Sequence, residues 1–269
     1  RVRWVPAPAP QSLRPAIFSA RVLPPLLFHS MPTLHLLGTG AAVSSPDRTV
    51  TMLAVEDGPE EHVVDCGGDV VQRMLQAGLF ADDLRALYLT HAYSDHIAGF
   101  PLFLEKVWLM GRRAPIPIYG PADALDAARR LFSVFDTASW DGLPECVWYP
   151  ITMAPHTPVL TSGRFQVTAT PTVHPLPTTA LRFEARRTGT SMTYSCDTAP
   201  SDHICALAAG TNLLVHEANG TVPGVHSSAE DAARCAFHDA ASARGMDRPF
   251  PARFGPAARP RWPRPRDRS

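Results

Sequence analysis

The chain has 269 residues, 45% of them hydrophobic and 19% charged, an ordinary balance for a globular protein with a sizeable core in one or two domains. Its formal net charge is zero, but residues 1–30 carry four arginines and no acid, residues 248–269 carry seven arginines against Asp267 alone, and the stretch between holds 14 basic and 24 acidic groups. An acidic body argues against a broad footprint on a phosphate backbone, and no apolar run in the sequence is long enough to cross a bilayer.

The first 30 residues are rich in arginine and proline and are expected to be a disordered or non-native extension ahead of a start at Met31; the prolines break any amphipathic transit helix. From Met31 the pattern is strand-rich. Leu34–Leu37 reads as a strand running into a glycine turn. Thr51–Glu56 and Glu61–Asp65 read as a hairpin about Asp57-Gly58-Pro59. Asp69–Gln76 places Val70, Val71, Met74 and Leu75 on one helical face, with Gly78 as a stop. Ala86–Thr90 is a short buried strand ending at His91, and Ile97–Met110 an apolar helix whose Phe100, Phe103, Val107 and Leu109 face the core. Further strands are expected at Arg164–Val173, Ala180–Ala185, Met192–Ser195 and Asn212–Val215. A helix follows from about Ala229 to Arg244, opened by a capping box of Ser227 and Glu230 and closed by Gly245. Two runs of strands, each followed by helices, predict one α/β sandwich domain over 31–247. Residues 248–269, with six prolines, read as a disordered tail. Cys66, Cys146, Cys196, Cys205 and Cys235 show no C-x-x-C and are odd in number, so reduced, mostly buried thiols in the cytoplasm are expected.

The chemistry-bearing residues sit at strand ends and helix starts. Thr90-His91-Ala92-Tyr93-Ser94-Asp95-His96 follows a strand and precedes a helix, so its imidazoles and carboxylate can converge on a metal such as zinc. Alone, an H-x-x-x-D-H loop is as often a satisfied polar loop. In chain order it keeps company with Gly38-Thr39-Gly40, Asp65-Cys66-Gly67-Gly68, His174, Cys196-Asp197-Thr198, His216-Glu217-Ala218 and His226-Ser227-Ser228, each at such a junction. Core histidines are not distributed that way. His29, His35, His62, His156, His203 and His238 have no partner pattern and are read as surface or core residues.

Over about residues 34–245 this ordered series resembles the metallo-β-lactamase superfamily, and within it the ribonuclease Z-like group. The resemblance implies an αββα sandwich of two packed mixed sheets flanked by helices, and a two-zinc site in which manganese or iron can replace zinc. Carried over, His91 and His174 bind one metal, Asp95 and His96 the second, and Asp197 bridges both. The metals then activate water for displacement at phosphorus. Asp95 also orients that water, and His226, supported by Glu217 and His216, protonates the leaving oxygen; the bland alternative for His216 and Glu217 is bracing, and for His226 a place just ahead of a helix cap. Gly67 and Gly68 let backbone approach closely. Three departures stand out. Tyr93 replaces the family's second histidine, where a phenol can bind metal, hold a phosphate or fill space. The stretch Asp247–Phe254 has Arg253 where the family's final strand carries a metal-binding histidine, so that strand is expected to be lost. Only 22 residues separate His174 from Asp197, so the arm that grips precursor tRNA is absent. The expected activity is that of a phosphodiesterase on a small phosphodiester or other ester, with a homodimer compatible. The alternatives are a tRNA 3′-processing endoribonuclease and an impaired or inactive relic of the fold.

Overall fold

The computed structural model describes residues 31–43, 45–220, 222–237 and 252–254; the expectations for 1–30, for the second half of the helix expected to reach Arg244 and its stop at Gly245, and for most of 248–269 fall outside the described residues. β1 (Thr33–Gly38), β2 (Met52–Glu56) and β3 (Glu61–Val64) form an antiparallel meander, with Gly58 at φ 64° in the turn expected between the last two. From β3 the chain changes to parallel crossovers. α1 (Val70–Gln76) leads to β4 (Leu84–Tyr88), α2 (Ser94–Ile97) and α3 (Phe100–Leu109) lead to β5 (Ile116–Gly120), and α4 (Ala122–Phe132) leads to β6 (Cys146–Pro150). Helices that return the chain between parallel strands must lie on a sheet face, and here that face is covered by Val70, Met74, Phe100, Phe103, Val107 and Leu125.

The second sheet takes β7 (Thr157–Thr161), β8 (Phe165–Pro171), β9 (Thr179–Ala185) and β10 (Ser191–Tyr194) as an antiparallel run; α5 (Asp202–Ala208) then carries the chain to β11 (Leu213–Val215), parallel to β10. β8 alternates, with Phe165, Val167 and Ala169 buried and Gln166 exposed between them, the period-2 pattern of a half-buried strand. Its inner face, with Phe183 and Met192, meets Leu53, Val55, Val64 and Tyr88 of the first sheet in one core. α5 and α6 (Ala229–Phe237) lie against the second sheet's outer face through Ala180, Ile204, Leu207 and Cys235. The architecture is the expected αββα sandwich.

Four details differ from expectation. The final strand is present: β12 (Ala252–Phe254) pairs parallel with β1, Arg253 opposite His35, at the edge of the order β12-β1-β2-β3-β4-β5-β6. The apolar helix over 97–110 is two helices broken at Gly99, and Leu109 is 67% exposed rather than in the core. The capping pair of α6 lies one residue later, with the Ser228 hydroxyl accepting from Asp231 N–H and the Asp231 carboxylate accepting from Ser228 N–H. Two of the five cysteines, Cys205 and Cys235, form a disulfide joining α5 to α6, leaving Cys66, Cys146 and Cys196 as thiols. No helix among the described residues is long and apolar enough to cross a membrane.

Candidate metal centre

Two strand ends of the first sheet build half of the site. β3 is followed at once by Asp65, whose backbone turns into the left-handed region at φ 62°, a conformation aspartate tolerates better than most residues. The turn delivers both oxygens of the fully buried Asp65 to the end of β4. Oδ1 accepts from Thr90 N–H at 2.8 Å, and Oδ2 accepts from Thr90 Oγ1 at 2.8 Å and from His96 Nδ1 at 2.7 Å. His96 and Asp95 lie on α2, which is held against the β3 loop by Cys66 N–H donating to the His96 carbonyl. A Cβ on Gly67 would overlap the Asp95 carbonyl oxygen, so the glycine permits a close approach of backbone to backbone.

The second sheet supplies the other half. Two residues past the end of β10 comes Cys196, also left-handed at φ 54°, and Asp197 follows. The loop after β8 that carries His174 is fastened to this turn by Thr172 Oγ1 donating to the Asp197 carbonyl and Ala199 N–H donating to the Val173 carbonyl, both at 2.8 Å. His174 Nδ1 faces the Val225 carbonyl at 3.3 Å. Further along, Ser227 Oγ donates to the Thr198 carbonyl at 2.7 Å, holding the loop of His226.

These elements bring together all five residues expected to bind metal. The His91 ring centroid lies 4.0 Å from that of His96 and 5.0 Å from that of His174. His96 Nε2 lies 3.5 Å from Asp95 Oδ2 and 3.9 Å from Asp197 Oδ2. Two sets of donor atoms each fall within 4.8 Å of one another: His91, His174 and Asp197, and His91, His96 and Cys196. The first set fits a cation better. The Nε2 atoms of both His91 and His174 are buried without a hydrogen-bond partner among the described residues, and a buried polar nitrogen left unsatisfied is costly. In the second set, the His96 Nδ1 atom is already committed to Asp65. Burial, and then the neighbouring His96, His174 and His226, push His91 down to about 2, so its ring is neutral and offers a lone pair. Burial also works against a charge on His96, but Asp65, Asp197 and Asp95 outweigh it and hold that ring at about 9. Asp197 is raised, chiefly by burial and against the pull of His96.

His226 meets Glu217 as expected, its Nδ1 3.0 Å from Glu217 Oε1, which also accepts from Thr198 N–H at 2.7 Å. His216 turns instead to the carbonyl of Glu217, 2.8 Å from its Nδ1. Tyr93, 39% exposed, stands edge-on to His91 and His174. Three contributors carried no assigned role in the sequence: Asp65, Thr90 and Cys196, whose Sγ lies 3.7 Å from His91 Nδ1. Asp65 was visible only as a strand-ending D-C-G-G, and nothing local links Cys196 to a residue 105 positions away.

Two stacked sheets with histidines and carboxylates gathered at one end of their strands define a class: a ribonuclease Z-like, metal-dependent hydrolase of the metallo-β-lactamase fold. The comparisons agree. Human tRNase Z, short form, superposes with a TM-score of 0.65 at 23% identity, covering 77% of this chain and 87% of that one. A diphosphatase from the PhnP family gives 0.58 at 16% identity, covering 82% and 94%. In sequence, ribonuclease Z of Mycobacterium bovis (strain BCG / Pasteur 1173P2) is 32% identical over 195 residues, 68% of this chain and 69% of that protein. The chain belongs to the family described as anti-Pycsar protein Apyc1, whose model matches residues 32–235.

Proposed function

We propose that the protein is a phosphodiesterase acting on a small phosphodiester, with His91, His174 and Asp197 holding one metal ion and Asp95, His96 and Asp197 a second. The observation that carries this reading is the pair of buried Nε2 atoms of His91 and His174, without a hydrogen-bond partner among the described residues, beside the carboxylate of Asp197. When bound, such ions supply Lewis acidity at phosphorus and make water nucleophilic near neutral pH. The protein's own groups do the rest. Asp95, partly exposed beside His96, accepts a hydrogen bond from the attacking water and aligns it. His226 keeps Nδ1 toward Glu217, which leaves Nε2 to pass a proton to the leaving oxygen. Glu217, fixed by Thr198 N–H, holds that ring in orientation; His216 braces the turn.

Zinc is the default ion, and the carboxylate-rich second position also suits manganese or iron. With Asp197 counted for both, the residues named give each ion three protein ligands, and affinity falls below that of a fully liganded site. The relative named ribonuclease Z favours a second reading, tRNA 3′ processing. Against it, the chain from His174 to Asp197 is used up by β9, a turn and β10, with no length left for an arm that grips tRNA. Cytoplasmic residence belongs to the same proposal, with Cys66, Cys146 and Cys196 as thiols and the Cys205–Cys235 pair as the exception.

The test is metal analysis of the purified protein together with turnover of bis-p-nitrophenyl phosphate and of a precursor tRNA. Two ions per chain, with turnover of the small ester that Asp197→Ala abolishes, support the proposal. Cleavage of the tRNA alone moves the assignment to 3′ processing, and a protein that takes up no metal and turns over nothing is an inactive relic of the fold.

A further inference from the structure

We infer that Cys196 is a positioning residue, whose buried thiol holds the His91 ring and so sets the distance between the metal-facing groups of the two sheets. This rests on the metal reading above. The backbone at Cys196 has φ 54°, a region that glycine occupies without strain and that a Cβ disfavours. Cysteine, unlike aspartate or asparagine, has no local hydrogen-bonding reason to accept it. The side chain is nevertheless fully buried, with Sγ 3.7 Å from His91 Nδ1.

The other neighbour of that nitrogen is Thr90 Oγ1 at 3.2 Å, on the first sheet, and its hydroxyl proton is already given to Asp65. Sulfur therefore reaches the His91 ring from the opposite sheet, and the next residue along the chain is Asp197. A histidine that ligates through Nε2 keeps its ring proton on Nδ1 and is oriented by whatever accepts it. Here the acceptors are the Thr90 oxygen and the Cys196 sulfur, and the latter ties the ring to the turn that presents Asp197.

The experiment compares Cys196→Gly, Cys196→Ala and Cys196→Ser in the full-length protein. Zinc affinity is read by competition with a chromophoric chelator, metal-free stability by thermal melting, and geometry by the visible absorption of the cobalt-loaded protein. Removal of an orienting partner typically weakens metal binding about 10- to 100-fold. The expected result is that loss in the Gly and Ala variants, with an altered cobalt spectrum, partial rescue in Ser, and a metal-free melting temperature for Gly no lower than wild type. Space-filling alone predicts the reverse pattern, lower metal-free stability with unchanged affinity. Wild-type zinc affinity in both Gly and Ala overturns the inference while leaving the metal reading intact. A wild-type protein that binds no metal overturns the metal reading and this inference with it.

Discussion

Tyr93 lies where one more nitrogen would do most for metal loading, its ring centroid 5.1 Å from that of His91 and 5.3 Å from that of His174. It forms the N-cap position of α2 in an extended conformation that imposes no demand on the side chain. Tyr93→His is therefore expected to fold normally and to raise the zinc content per chain, measured by elemental analysis after dialysis against a limiting metal buffer. Unchanged occupancy would assign the weakness of the site to the second ion. Gly67 is the opposite case, a position with no room. Alanine there drives its methyl into the Asp95 carbonyl oxygen, where the obstacle is backbone and cannot rotate away. Gly67→Ala is expected to cost about 1–3 kcal/mol as overpacking, and to lose metal as well, because the displaced segment carries Asp95 and His96. A thermal melt and a zinc titration check the two losses together.

At the scale of elements, the disulfide between α5 and α6 has the clearest consequence. α6 has nine described residues and ends the loop that carries His226. Cys205–Cys235 ties that helix to α5 with a sequence separation of 30. Closing a loop of that length stabilises the folded state by about 2–4 kcal/mol. Urea unfolding with and without a phosphine reductant should differ by roughly that amount, and thiol titration of the unreduced protein should find three reactive groups after denaturation rather than five. The pairing was not legible in the sequence because an odd, scattered set of cysteines specifies no partner; only the packing of α5 on α6 does. The strands around the site were legible for the converse reason. β8 and β9 announce themselves by alternation, β2 and β3 by short apolar stretches about a turn, and the histidines and carboxylates proposed to bind metal stand just beyond strands. β5 and β6 are hard to read from sequence because Pro117 interrupts one and the other buries none of its residues fully, Tyr149 and Pro150 being exposed. α4 does carry a signal, since Ala124, Leu125 and Ala128 share its buried face. Arg253 in place of the family's histidine gives no sign of the final strand, yet three residues suffice for a parallel pairing with β1.

At the scale of the whole molecule, the site is a seam. His91, Asp95 and His96 come from the first sheet, His174 and Asp197 from loops of the second, and between the strands that carry them lies an inter-sheet core of Tyr88, Phe165, Phe183 and Met192. An ion held by both halves exists only when the sheets are docked, so its binding energy adds to the stability of the docked state. By mass action, free metal at a hundred times its dissociation constant contributes about 2.7 kcal/mol. Wild-type protein is therefore expected to melt at a higher temperature with zinc than with a chelator, by an amount that grows with the logarithm of free zinc. Asp197→Ala removes the carboxylate proposed to be common to both ions and should abolish that dependence. An equal melting temperature with zinc and with chelator, under conditions where elemental analysis shows the metal bound, would mean that the unfolded chain holds the ion as tightly as the folded one, so that the ion is not held by a site built from the docked sheets.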